Sequence, residues 1–167
     1  IALIGTITAV SFPQIRKYNS SVELRNTSQK VRDNIRNLHN RALSGELSSE
    51  NLTTKVRSYW AIRIDNTADN YYEIAPCTTF DFSTCTTSAD YQKIKLPNKF
   101  HITHLVSGSA KITLYFSPID GKMIAYNSIP ALINTLPISI KITSDDTTNK
   151  YFKMNINAQG NISTELL

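Results

Sequence analysis

The first 44 residues constrain this chain more than any others. Residues Ile1 to Phe12 are mostly apolar, Pro13 follows, and from Gln14 to Ala42 the sequence turns polar and basic. In that second half Leu24, Ser28, Val31, Ile35, Leu38 and Ala42 recur every three or four positions. At 3.6 residues per turn these fall in one narrow stripe, which predicts an amphipathic helix with a single buried face. Gly45 can take the left-handed conformation that closes a helix. Ile15, Tyr18 and Val22 form a second stripe well round the helix from the first, and Arg25, Arg32 and Arg36 continue it. These arginines read as a solvated face, or as contacts to nucleic acid or another subunit. Proline in a helix interior costs about 3 kcal/mol in water. Pro13 therefore either kinks the helix or separates an apolar arm from the amphipathic part.

Residues 1–44 are thus expected to form a stalk and 45–167 a β-rich globular domain. The apolar arm, with Ile1, Leu3, Ile4, Ile7, Val10, Phe12 and Pro13, would sit in lipid or among other subunits. Its twelve residues fall short of the roughly 20 that span a bilayer. They lack the basic head of a signal peptide, so the sequence reads as starting inside a longer apolar helix. Leu24, Val31, Ile35, Leu38 and Ala42 would pack on a sheet.

Charge agrees with this division. Between Gln14 and Arg41 seven Lys or Arg stand against Glu23 and Asp33, which accounts for the whole net charge of +5. The remainder is neutral and advertises no polyanionic partner. The basic segment suits phospholipid headgroups, nucleic acid or acidic faces of neighbours.

After Glu46–Thr54, read as a linker with a helical turn starting at Ser48 or Ser49, apolar and polar residues alternate in short runs. Strands are expected at Val56–Ile64, Tyr71–Ala75, Tyr91–Leu96, Phe100–Val106, Lys111–Ser117, Met123–Tyr126, Ile138–Ile142, Tyr151–Ile156 and Ile162–Leu166. Asp120-Gly121 reads as a tight hairpin turn and 127–137 as a loop with Pro130 and Pro137. No strand–helix–strand unit appears. The fold class is α+β, one long helix packed on antiparallel sheet in successive hairpins. Trp60, Tyr71 and Tyr72 read as cross-strand packing rather than a stacking platform.

Cys77 and Cys85 lie in a Thr/Ser-rich surface loop, Pro76–Asp90. His39, His101 and His104 do not complete a metal set with them, so a disulfide and an oxidising compartment are expected. His101 and His104 fall on opposite faces of a strand. Asp145-Asp146 reads as a solvated pair. No phosphate-binding glycine loop, His-Glu-x-x-His or Gly-x-Ser-x-Gly occurs, and neither catalysis nor a cofactor is expected.

Three stretches carry a resemblance. Ile4-Gly5, followed by Phe12-Pro13-Gln14-Ile15, resembles the second half of the N-terminal helix of type IV pilins and type II secretion pseudopilins. Ile112-Thr113-Leu114-Tyr115-Phe116-Ser117-Pro118 with Gly121, and Tyr151 to Ile156 followed by Gly160-Asn161-Ile162, resemble two hairpins of the minor pseudopilin H and FimT-like group. The resemblance spans nearly the whole chain except its middle, where the Cys77–Cys85 loop has no counterpart. It also departs at Asn161, where those relatives often carry Arg. It implies about nine residues ahead of Ile1, including a peptidase site and a Glu. It implies a structural subunit of a thin filament, either a periplasmic pseudopilus or an extracellular pilus, anchored first by a single pass in the bacterial inner membrane with its body in the periplasm. Implied partners are other pilin or pseudopilin subunits, inner-membrane lipid before assembly, and a secreted substrate or outer-membrane channel. Alternatives are a DNA-binding minor pilin for uptake, using Arg25, Arg32 and Arg36 or Lys93, Lys95 and Lys99, and an adhesive or major pilin.

Overall fold

A computed structural model describes residues 2–47, 57–68, 70–127, 131–134, 136–146 and 150–167, with side chains of the first helix from Tyr18 onward. Helix α1 runs Ala2–Leu43 without interruption. Its helical backbone passes through Pro13, so the proline does not break it. The Ser48 helical turn and Val56 lie outside the described residues.

The helix ends as its sequence suggests. Gly45 has φ of 65° and donates to Ala42 at 2.9 Å, while Glu46 donates to Arg41 at 3.0 Å. This pair of bonds satisfies two otherwise orphaned carbonyls.

Among the described residues nine strands follow: β1 Tyr59–Asp65, β2 Tyr71–Cys77, β3 Gln92–Lys95, β4 Phe100–His104, β5 Lys111–Phe116, β6 Met123–Asn127, β7 Ile138–Ser144, β8 Tyr151–Ile156 and β9 Ile162–Leu166. They form two antiparallel sheets, β3-β2-β1-β5-β6 and β4-β7-β8-β9. The expected run of hairpins is therefore corrected at two places. β1 pairs with β5, and β4 pairs with β7. β4 leaves its chain neighbour β3 for the other sheet, where Phe100 and Ile102 face a core shared with Ile62 and Ile64 of β1 and Tyr72 and Ile74 of β2. The β5–β6 turn is also wider than Asp-Gly alone, since Ser117 accepts from Gly121 and donates to Lys122.

The helix lies across both sheets. Leu24, Val31, Ile35, Leu38 and Ala42 are all buried in one core with Trp60, Ile62 and Ile64 of β1, Ile112, Leu114 and Phe116 of β5, Ile138, Ile140 and Ile142 of β7, and Met154 and Ile156 of β8. Each fully buried Leu, Ile or Val contributes roughly 1.5–3 kcal/mol. Ser28 is buried in the same stripe, and its hydroxyl has no partner among the described residues. Polar contacts fix the helix along its length. Lys99 bridges Glu23 and Asp146, Asn34 donates to the Tyr72 hydroxyl at 2.6 Å, and Arg41 lies 3.5 Å over Trp60 while holding Glu46.

At the helix end, His39 is clasped by two turns. A Cβ on Gly160 would stand 2.9 Å from its Nε2, and one on Gly121 would stand 2.8 Å from the same atom. The turns are joined to each other, because Met123 donates to the Ala158 carbonyl at 2.8 Å. The two hairpins that carry the family resemblance thus meet at one helical residue.

Candidate assembly surface

For the apolar arm, Ile1 lies outside the described residues, while Leu3, Ile4, Ile7, Val10 and Phe12 lie on helical backbone. Among the described residues, no helix is long and apolar enough to cross a membrane.

Beyond the arm, α1 presents a mixed flank. Tyr18 is 70% and Val22 39% exposed. Arg25 and Arg36 are exposed, and Arg32 is half-buried and 3.4 Å from Asp33. At 100° per residue these five positions line the side of the helix on which His39 also lies. The structure therefore brings the three arginines into one stripe with Tyr18 and Val22.

The three lysines considered for nucleic acid lie off that stripe, Lys95 being exposed on the edge strand β3. Lys93 sits 3.7 Å over the Tyr71 ring, and Lys99 is held by Glu23 and Asp146. Trp60 and Tyr72 are buried in the core, so the aromatic trio offers no stacking surface.

The loop holding the cysteines is the largest correction to the sequence reading. Cys77 and Cys85 form a disulfide, but the segment is not a solvated surface loop. It contains a short helix, α2 Phe82–Cys85, capped by Asp81, whose carboxylate accepts from Ser83. Phe82, Cys77 and Cys85 are buried with Ala61, Ala75 and Tyr115 in a second core, on the sheet face away from α1. Phe80 stacks on Tyr126 and meets Tyr115 edge-on.

Charge locks this lid. Arg63 lies 4.4 Å over the Phe82 ring and donates to Glu73 at 2.6 Å. Tyr91 donates to the other Glu73 oxygen at 2.6 Å. Burial and that carboxylate push the Tyr91 hydroxyl up to about 12. Burial also raises Tyr115 to about 12. A cleft of about 160 Å³ opens beside the lid, lined by Arg63, Lys111, Asp81, Tyr115 and Tyr126 among others. Its cations are occupied: Arg63 by Glu73 and Lys111 by Asp65 at 2.9 Å.

Alternation in β5 concealed this second core. Ile112, Leu114 and Phe116 announce one buried face, and Tyr115 between them reads as solvent-facing. Tyr115 beside Phe116, and Phe80 and Phe82 in a Thr/Ser-rich loop, were the available signals.

His101 and His104 are on opposite faces of β4. His101 meets Asp145 at 3.1 Å, while His104 is buried and accepts from Val106. Burial lowers the His104 pKa. Asp145 and Asp146 are committed to His101 and Lys99.

No family model matches the chain, and no curated protein matches it. Among solved structures it is similar to the type IV minor pilin FimU of Pseudomonas aeruginosa, with a TM-score of 0.50 and 11% identity, covering 89% of this chain and 92% of that one. At that identity the likeness is one of fold.

Proposed function

We propose that this chain is a structural subunit of the type IV pilin and pseudopilin kind, assembling through its N-terminal helix into a periplasmic pseudopilus or a pilus. One observation carries the reading. A single helix of 42 residues, about 63 Å long, gives Leu24, Val31, Ile35, Leu38 and Ala42 to the core of the body. Its earlier part carries Leu3, Ile4, Ile7, Val10 and Phe12. Such an arm rests in lipid before assembly and exchanges lipid for neighbouring helices afterwards. The stem, 1–44, and the body, 45–167, differ in role, although the second half of the stem supplies the body's core. The fold shared with a minor pilin supports this reading, as does the disulfide, which suits a periplasmic or extracellular body. The finer assignment to the minor pseudopilin H and FimT-like group rests on the two hairpin motifs.

The test is incorporation. In cells that make the filament, the chain should appear by immunoblot in sheared, purified filaments, and Ile7→Asp should remove it while leaving the body folded. Normal incorporation of that variant would refute assembly through the helix. Salt-dependent binding of DNA that is lost in Arg25→Ala/Arg32→Ala/Arg36→Ala would favour the uptake reading instead.

A further inference from the structure

The two sheets described have four edges, and three of them carry something that blunts pairing. β3 has only four residues and carries Lys93 and Lys95, a short charged strand of the kind that discourages pairing. The β6 edge is covered by 131–133, since Asn127 donates to Ala131 and Ile133 donates to Ala125. On β4 the outward groups of His104 are taken by Asn66, whose side chain accepts from the amide at 2.8 Å and donates to the carbonyl at 3.0 Å.

β9 has no such device among the described residues. Tyr151 and Leu167 exchange both backbone bonds, at 2.9 and 3.0 Å. With the register of β8 on β9, antiparallel alternation then turns the groups of Ser163 and Glu165 toward β8. The N–H and C=O groups of Ile162, Thr164 and Leu166 point away from the sheet. The side chains of these three lie on the helix-side face, opposite buried Ile156, Met154 and Phe152. Ile162 touches the core, but Leu166 remains 54% exposed. β9 is therefore an open ladder with an apolar shelf.

The helix flank beside this shelf is basic. His39 touches the β8–β9 turn at Gly160, and Arg25, Arg32 and Arg36 lie on the same side of α1. Two copies paired edge to edge about a two-fold axis would bring these arginine flanks together, which opposes a second copy as the occupant.

We infer that β9 accepts an extended segment of a different, acidic partner chain by strand addition. Main-chain bonds to Ile162, Thr164 and Leu166 supply the ladder, apolar residues cover Leu166, and acidic residues on the helix-facing side meet the arginines. This docking does not depend on the filament reading.

Thr164→Pro is the discriminating variant. Its N–H serves no bond within the sheet, so proline leaves the protein's own ladder intact while blocking an added strand. The probe is a fluorescein-labelled octapeptide with Thr at every second position and Val and Glu taking turns at the others, so that Val and Glu share one face; it is titrated against the intact chain by anisotropy, with the peptide carrying Lys for Glu (Lys/Val) as the charge-reversed control. The Glu/Val peptide should bind saturably, at least tenfold tighter than Lys/Val, and weaken at least tenfold with Thr164→Pro and with Arg32→Glu/Arg36→Glu. Should Thr164→Pro disturb the near-UV circular dichroism, Leu166→Asp at the exposed shelf is read in its place, with the same tenfold loss. Absence of saturable binding, equal affinity for the two peptides, or binding unchanged by the edge variants overturns the inference. So does a dimer in sedimentation that Thr164→Pro abolishes, which would place a second copy in the edge.

Discussion

Replacing Gly160 by Ala tests how the body is clasped to the stem. Gly160 has φ of 76°, and a residue with a Cβ is disfavoured there by roughly 1–2 kcal/mol. The added carbon would also stand 2.9 to 3.1 Å from three atoms of the His39 ring, with no other heavy atom as close. Overpacking of this kind costs roughly 1–3 kcal/mol. The sum is about 3 kcal/mol, or a fall in Tm of about 6–12 °C for a chain of this size. The cause can be separated by a double-mutant cycle in urea denaturation. In a His39→Ala background the clash is gone and only the backbone cost remains, so Gly160→Ala should then cost about 1–2 kcal/mol. An equal cost in both backgrounds would show that the imidazole does not press on the turn. A cost below about 0.5 kcal/mol in the native background would show that the turn is not strained by a side chain at all.

Three further outcomes follow from the second core and from β4. Arg63→Ala should destabilise by about 3 kcal/mol, because Glu73 is left buried with Tyr91 alone, whereas Arg63→Met/Glu73→Leu should recover most of the loss in the same denaturation assay. Opening the eight-residue span between Cys77 and Cys85 by Cys77→Ser/Cys85→Ser should cost about 2.5 kcal/mol by chain entropy, read as a lower urea midpoint that reductant no longer shifts. His104 has a folded pKa held by burial below its ordinary 6.5. The unfolded chain therefore takes up the proton first, and stability present above pH 6.5 should be lost as pH falls toward the folded value. His104→Gln should flatten that part of the stability–pH curve, measured by thermal melts between pH 7.5 and 5.

The helix is legible in the sequence because its information is local. A stripe every three or four residues from Leu24 to Ala42 commits one face to a core whatever that core is made of, and Gly45 ends the helix by its own backbone freedom. Strand positions were legible for the same reason, since alternation needs only adjacent residues. The lid over β1, β2 and β5 was not. Alternation in β5 signals one buried face, and nothing within Lys111–Phe116 says that Phe80 and Phe82, some thirty residues earlier, cover the other. Nothing local to either strand joins Arg63 to Glu73; the register of β1 on β2 sets them side by side.

Local pattern alone points to a long amphipathic helix with an apolar beginning, nine strands to accompany it and a disulfide among them. It takes the folded chain to join β1 to β5 and β4 to β7, to close two hairpin turns on His39, and to leave β9 at the edge of its sheet with its outward ladder groups exposed. Pairing of distant segments depends on which burial face each strand can share with the helix, and that choice is made by the whole core rather than by any window of the chain.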